Sequence, residues 1–151
     1  IGWVVTRNPE IREAVLRFGQ ARLSPATVDQ YAALAALDVP ESWFEEVKAE
    51  YKARRDVLVA GLRRIGIDAP TPEGAFYLAV ALPVEDAESF CRWILTDFDL
   101  NGETICMAPL GGFYHTPDMG KNEVRMAYVL EQQKLERCVD ILEAALAAWN
   151  S

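Results

Sequence analysis

Apolar residues recur every three or four positions along much of the chain, which is typical of the buried face of an amphipathic helix. Ser42 and Glu45 form an S-x-x-E capping box at the start of the longest pattern, and Gly66 is placed to end it. The spacing predicts helices from Asn8–Pro9 to about Gly19, from Ser24–Pro25 to the residue before Pro40, from Ser42 to Gly66, within 85–98, and over 131–149.

Four shorter runs are apolar without helical spacing, and they predict β-strands at 1–6, 75–82, 104–108 and 124–130. Because helices separate most of these strands, the order predicts an α/β fold (an α+β layer) with helices packed on a small mixed sheet. The stretch 109–123 is predicted to be a loop. Its length is unusual inside a compact domain and indicates a functional loop.

The last predicted strand contains one arginine among apolar residues. Alternation places Val124, Met126 and Tyr128 on one face and Arg125 on the other. A guanidinium in apolar surroundings is costly unless an anion meets it, and its planar fork matches the two oxygens of a carboxylate. Arg125 is therefore a candidate carboxylate ligand. An internal ion pair, or an edge-strand side chain that reaches water, is the structural alternative.

The other candidate site residues are indicated less clearly by the sequence. Gly111 and Gly112 allow a backbone to approach a ligand closely, or form a plain turn. His115 is the only histidine, and a solvated turn residue is favoured over a catalytic base. Arg22 precedes a helix start and is favoured as a surface residue. No metal-ligand cluster is evident.

Composition narrows the function classes. The chain has a net charge of −8, which argues against nucleic acid and anionic membranes as partners. No apolar run reaches the roughly 18–20 residues of a membrane span. The three cysteines lie in apolar stretches without C-x-x-C spacing, so they are expected to behave as small hydrophobic residues in a reducing cytoplasm.

Four motifs follow one another along the chain: IGWVVT (1–6), YKARRDVL (51–58), PEGAFY (72–77) and VRMAY (124–128). Together they resemble the C-terminal part of fold-type I, pyridoxal-phosphate-dependent aminotransferases of class I/II, a family that includes aspartate aminotransferase. The resemblance implies a parent enzyme that transfers an amino group between an amino acid, aspartate or similar, and a 2-oxo acid. It implies that residues 1–40 are a strand and two helices of the large cofactor domain, and that 41–151 form the C-terminal small domain.

The resemblance also implies site roles. Arg125 would bind the substrate α-carboxylate, and Gly111, Gly112 and Phe113 would border the substrate pocket. Arg22 lies near the place where some members contact a dicarboxylate side chain. The Schiff-base lysine and most cofactor contacts would precede residue 1. The chain is therefore expected to contain no catalytic residue, to bind no pyridoxal 5'-phosphate by itself and to be inactive alone.

The first residue leads to two further expectations. Because the resemblance places an Arg immediately before Ile1, the chain is expected to be a trimmed or proteolytic C-terminal fragment. An exposed apolar strand at 1–6 is expected to pair with another copy, so a homodimer is predicted. The alternative from another class is a non-catalytic amino-acid-binding or dimerisation module with the same Arg125 pocket.

Overall fold

The structure is a computed structural model that describes residues 1–149 of the chain. These residues form two compact units, Ile1–Glu45 and the part from Glu46 onward. The elements in this range are the α-helices Pro9–Arg22 (α1), Thr27–Ala36 (α2), Glu41–Arg64 (α3), Ala87–Thr96 (α4) and Gln132–Trp149 (α5), and the strands Tyr77–Ala81 (β1), Ala108–Pro109 (β2) and Glu123–Ala127 (β3). None of these helices is both long and apolar enough to cross a bilayer.

The first unit contains α1, α2 and the start of α3. Asn8 caps α1, since its side-chain oxygen accepts hydrogen bonds from the N–H groups of Glu10 at 2.9 Å and Ile11 at 3.3 Å. Gly19 does not end this helix, which continues to Arg22. The strand predicted over residues 1–6 is not formed among the described residues. Apolar, β-branched composition supplies propensity only, and a strand also needs a partner backbone.

The longest helix, α3, begins one residue earlier than the capping box predicts. Ser42 lies inside its first turn, so the prediction that Ser42 caps the helix was wrong. The N–H of Trp43 donates instead to the C=O of Pro40 at 3.1 Å. Main-chain groups therefore already close a helical turn across Ser42.

The end of α3 follows the sequence signal. Gly66 adopts a φ of 86°, which favours glycine. The N–H of Gly66 donates to the C=O of Arg63 at 3.1 Å, and that of Ile67 donates to the C=O of Leu62 at 3.0 Å. These two bonds are the Schellman motif, and they confirm that Gly66 terminates the helix.

The sheet has the order β1-β3-β2, and both pairings are antiparallel. The expectation of a mixed sheet was therefore wrong, although the α/β class is confirmed. Strand β2 is much shorter than predicted: only two residues of the stretch around 104–109 pair with β3. Ala79 of β1 and Ala108 of β2 both lie opposite Arg125, so β3 is the central strand.

The core of the second unit lies on one face of this sheet. Burial alternates along β1 and β3, with Leu78, Val80, Val124 and Met126 facing inward. Helices α3, α4 and α5 contribute most of the remaining core, including Leu58, Leu62, Phe90, Ile94, Leu135, Val139 and Leu142. The helices therefore cover one face of the sheet, and Arg125 and Ala127 of β3 are exposed on the other.

Candidate functional site

Arg125 lies on the exposed face of the central strand. Its neighbours Val124 and Met126 are 0% and 8% exposed, which confirms the predicted alternation. Because β3 has a partner strand on each side, the edge-strand interpretation was wrong. The ion pairs found within residues 1–149 join other groups, such as Arg54 with Glu50, and none of them includes Arg125.

Small residues flank Arg125, and aromatic rings approach it. Residues directly opposite one another on paired strands share a face, so the neighbours of Arg125 across the sheet, Ala79 and Ala108, carry only methyl groups. The guanidinium carbon lies 5.2 Å from the ring centroid of Tyr77 and 5.7 Å from that of Phe113. Such ring contacts orient a guanidinium without occupying its N–H donors, which remain available to an anion.

The predicted loop supplies one of these rings. Gly111, Gly112 and Phe113 form a single 3₁₀ turn, and all three are exposed. A Cβ placed on Gly112 would meet nothing within 4 Å, and one on Gly111 would make only ordinary contacts. The structure therefore brings Phe113 to Arg125, whereas the two glycines border open space that the protein itself does not fill.

A glycine without a predicted role holds this loop in place. Gly120 has a φ of 68°, and a Cβ there would overlap the Tyr114 ring. The Tyr114 hydroxyl donates to the Glu123 carboxylate at 2.5 Å, and this bond raises the pKa of Tyr114. The loop end is thereby tied to the first residue of β3. The sequence pattern singles out Gly111 and Gly112, yet the position that requires glycine is Gly120.

Two further side chains, to which the sequence pattern assigned no role, hold the turn before β1. Tyr128 is 2% exposed, and its hydroxyl shares its one proton between the C=O groups of Gly74 and Ala75, at 3.3 and 3.2 Å. Burial raises the pKa of Tyr128. Arg55 donates from Nη1 to the C=O of Pro72 at 2.9 Å. Arg55 lies in the motif YKARRDVL and Tyr128 in the motif VRMAY, so these motifs were the sequence feature that could have indicated both residues.

The remaining candidates lie elsewhere. His115 is exposed in the loop, and Arg22 ends α1 in the first unit. Cys91 is buried and Cys138 half-buried, as expected of small hydrophobic residues, whereas Cys106 is exposed. The part of the chain that the structure describes contains no group of three or more residues that could hold a metal ion.

Pyridoxal phosphate, which the resemblance implies, needs an amine for its aldehyde, a carboxylate for its ring nitrogen and donors for its phosphate. The contacts found for Arg125 among the described residues are those with Tyr77 and Phe113, and neither side chain supplies the amine or the carboxylate. The residues around Arg125 therefore do not by themselves fit this cofactor.

The sequence matches a known family over most of its length. The pattern described as aminotransferase class I and II covers residues 1–142. An aspartate aminotransferase from Pyrococcus horikoshii is 30% identical over 97% of this chain and 37% of its own length. An LL-diaminopimelate aminotransferase from Halothermothrix orenii is 26% identical over 95% of this chain and 35% of its own length. The chain thus spans little more than a third of these relatives.

Solved structures give the same result. An aminotransferase from Mycobacterium tuberculosis has a TM-score of 0.75 at 29% identity, over 93% of this chain and 36% of that one. An α-aminoadipate aminotransferase from Thermus thermophilus has a TM-score of 0.78 at 23% identity, over 93% of this chain and 36% of that one, and so supports the fold alone. These matches do not favour the non-catalytic module. The chain belongs to the class I and II aminotransferase family.

Proposed function

We propose that this chain is the substrate-clamping, C-terminal part of a pyridoxal-phosphate-dependent aminotransferase. One observation carries the proposal: the exposed guanidinium of Arg125, between the Tyr77 and Phe113 rings, has no carboxylate partner among the described ion pairs. An amino acid and a 2-oxo acid both carry a carboxylate next to the reacting carbon. One clamp on that carboxylate would serve both substrates.

The surroundings of Arg125 support this role. A guanidinium binds a carboxylate through two parallel hydrogen bonds, which sets the plane of the bound molecule. Ala79 and Ala108 carry only methyl groups beside Arg125, and the Phe113 ring lies next to the guanidinium. In this proposal Gly111, Gly112 and Phe113 form one wall of the substrate pocket.

We propose aspartate or a similar amino acid as the amino donor. The support is that relatives named aspartate aminotransferase, from Pyrococcus horikoshii and Rhizobium meliloti, match at 30% and 28% identity over 97% and 96% of the chain. The cofactor would be pyridoxal phosphate in the complete enzyme. The chain alone would neither bind it nor transaminate, and a stable visible absorbance with pyridoxal phosphate, removed by an amino acid, would contradict this.

We also propose a homodimer and a cytoplasmic location. The first unit has no buried side chain, and Trp3, Phe18 and Tyr31 are each at least 70% exposed. Exposed apolar surface is common where one chain meets another, and this supports the proposed homodimer. All three cysteines are free thiols, which fits a reducing compartment. Sedimentation at high concentration tests the dimer, and a strictly monomeric chain would count against it.

The carboxylate clamp is tested by titrating the chain with succinate while following the side-chain NMR signals of arginine. We expect saturable shifts at Arg125. Arg125→Gln should weaken binding about tenfold or more, because it removes a charge-assisted fork. Arg125→Lys should also weaken binding, since a point charge does not replace the fork. Arg92→Gln is the matched control, as Arg92 is exposed and its guanidinium pairs, within residues 1–149, with Glu88 on the same helix.

Two results would overturn the clamp. One is unchanged succinate affinity in Arg125→Gln. The other is an equal loss of affinity in Arg92→Gln, because this would indicate that succinate responds only to the total charge of the chain.

A further inference from the structure

The turn before β1 has an unusual backbone conformation. Ala75 adopts a φ of 62°, in the left-handed region that side chains other than glycine rarely occupy. A conformation of this kind persists only where the surrounding contacts hold it. In this turn, contacts come from the chain after β3 and from helix α3.

Tyr128 supplies the contacts from the chain after β3. Its hydroxyl reaches the C=O groups of Gly74 and Ala75, and its N–H donates to the C=O of Phe76 at 2.9 Å. One residue thus binds three consecutive carbonyl groups of the turn. Because Tyr128 is 2% exposed and lies on the core side of the strand, its hydroxyl is directed away from the face that carries Arg125.

Arg55 supplies the contact from α3. Its Nε and Nη2 bind the Asp56 carboxylate at 2.9 and 2.7 Å, which orients the guanidinium. The remaining Nη1 donates to the C=O of Pro72 at 2.9 Å. The charge of Arg55 also opposes the effect of burial on the pKa of Tyr128, so the two groups act on the same region.

The turn leads directly into Tyr77, the first residue of β1. The Tyr77 ring lies 5.2 Å from the Arg125 guanidinium and packs edge-on against the Phe76 ring at 5.5 Å. We propose that Tyr128, assisted by Arg55, is a positioning residue: its hydroxyl holds the turn so that the Tyr77 ring orients Arg125. The value of this orientation for substrate binding rests on the proposed carboxylate clamp.

Tyr128→Phe tests the proposal, because it removes the hydroxyl and keeps the buried ring. Thr104→Val is the matched control, since the Thr104 hydroxyl donates to the C=O of Ile94 at 2.6 Å, outside the turn. The first measurement is the ring-current shift of the Arg125 side-chain protons in the chain without ligand. We expect Tyr128→Phe to change it and Thr104→Val to leave it as in the wild type. An unchanged shift in Tyr128→Phe would overturn the proposal.

The second measurement is succinate affinity beside thermal stability. We expect Tyr128→Phe to weaken succinate binding about threefold to tenfold, in line with one lost hydrogen bond. Thr104→Val should lower the melting temperature as much as Tyr128→Phe does, but it should keep the wild-type affinity for succinate. Arg55→Lys, which keeps the charge and loses the fork, is a second variant and should change the same Arg125 signals. Equal affinity losses in Tyr128→Phe and Thr104→Val would leave only a structural role and overturn the proposal.

The two measurements separate this proposal from the clamp. If the wild type does not bind succinate but Tyr128→Phe still moves the Arg125 signals, the clamp fails and the positioning role stands. If succinate binds through Arg125 and Tyr128→Phe changes neither readout, the clamp stands and the positioning role fails.

Discussion

Gly61 offers a sharp test of the packing between α3 and α5. It lies inside α3, where replacing glycine with alanine normally stabilises a helix by about 0.5–1 kcal/mol. A Cβ at this position would lie 2.8 Å from Cγ2 and 3.3 Å from Cγ1 of Val139. Ordinary carbon contacts begin at about 3.5 Å. Val139 is 1% exposed and β-branched, so it has little freedom to turn aside.

The expected magnitude follows from these two effects. Overpacking a core typically costs about 1–3 kcal/mol, which exceeds the gain in helix propensity. Gly61→Ala should therefore lower the free energy of unfolding by up to about 2 kcal/mol. In a Val139→Ala background the two clashing methyl groups are absent. There, the same change at Gly61 should stabilise the chain by up to about 1 kcal/mol.

Urea unfolding followed by far-ultraviolet circular dichroism measures all four corners of this double-mutant cycle. We expect a coupling energy of about 1–3 kcal/mol with similar m-values. If Gly61→Ala stabilises the wild type as much as it stabilises the Val139→Ala variant, the close packing of these two helices is refuted.

Two pH-dependent predictions follow from single groups. The Asp86 carboxylate accepts the Ser89 N–H at 2.8 Å, which holds the pKa of Asp86 below 3.8. The contribution of the Asp86 carboxylate to stability is therefore present above pH 3.8 and lost as the pH falls below that value. Asp86→Asn should flatten this acidic part of the plot of melting temperature against pH. An unchanged plot would contradict the prediction. Burial raises the pKa of Cys91 from 9.0 to about 11. The protonated Cys91 thiol therefore contributes fully to the stability of the fold below pH 9.0, and this contribution declines as the pH rises toward 11. Iodoacetamide at mildly alkaline pH should accordingly label the exposed Cys106 before Cys91, and equal labelling by peptide mass would contradict the buried thiol.

Some features of the site could be read from local patterns. Strand β3 alternates buried and exposed residues, so the side of the sheet on which Arg125 lies was predictable from a period of two. Gly66 ended α3 as expected because a left-handed residue after the last turn satisfies carbonyls of that same helix. Both rules involve groups only a few residues apart.

Other features could not be read this way. The apolar residues 1–6 form no strand among the described residues, because pairing needs a second backbone that local composition does not supply. Ser42 fits a capping box but lies inside α3. Strand β2 pairs only Ala108 and Pro109, although the apolar run predicts five residues. In each case the outcome depended on main-chain hydrogen bonds that local composition does not specify.

The amino-acid sequence by itself therefore determined the helices, the faces of the strands and the family. Only the tertiary structure decided what surrounds Arg125: the Tyr77 and Phe113 rings, and the two alanines of the neighbouring strands. The same holds for the Tyr128 hydroxyl, which reaches a carbonyl 54 residues earlier in the chain. The physical reason is that helix periodicity and caps depend on neighbouring residues, whereas strand register and long-range hydrogen bonds depend on segments that meet only after the loops between them close.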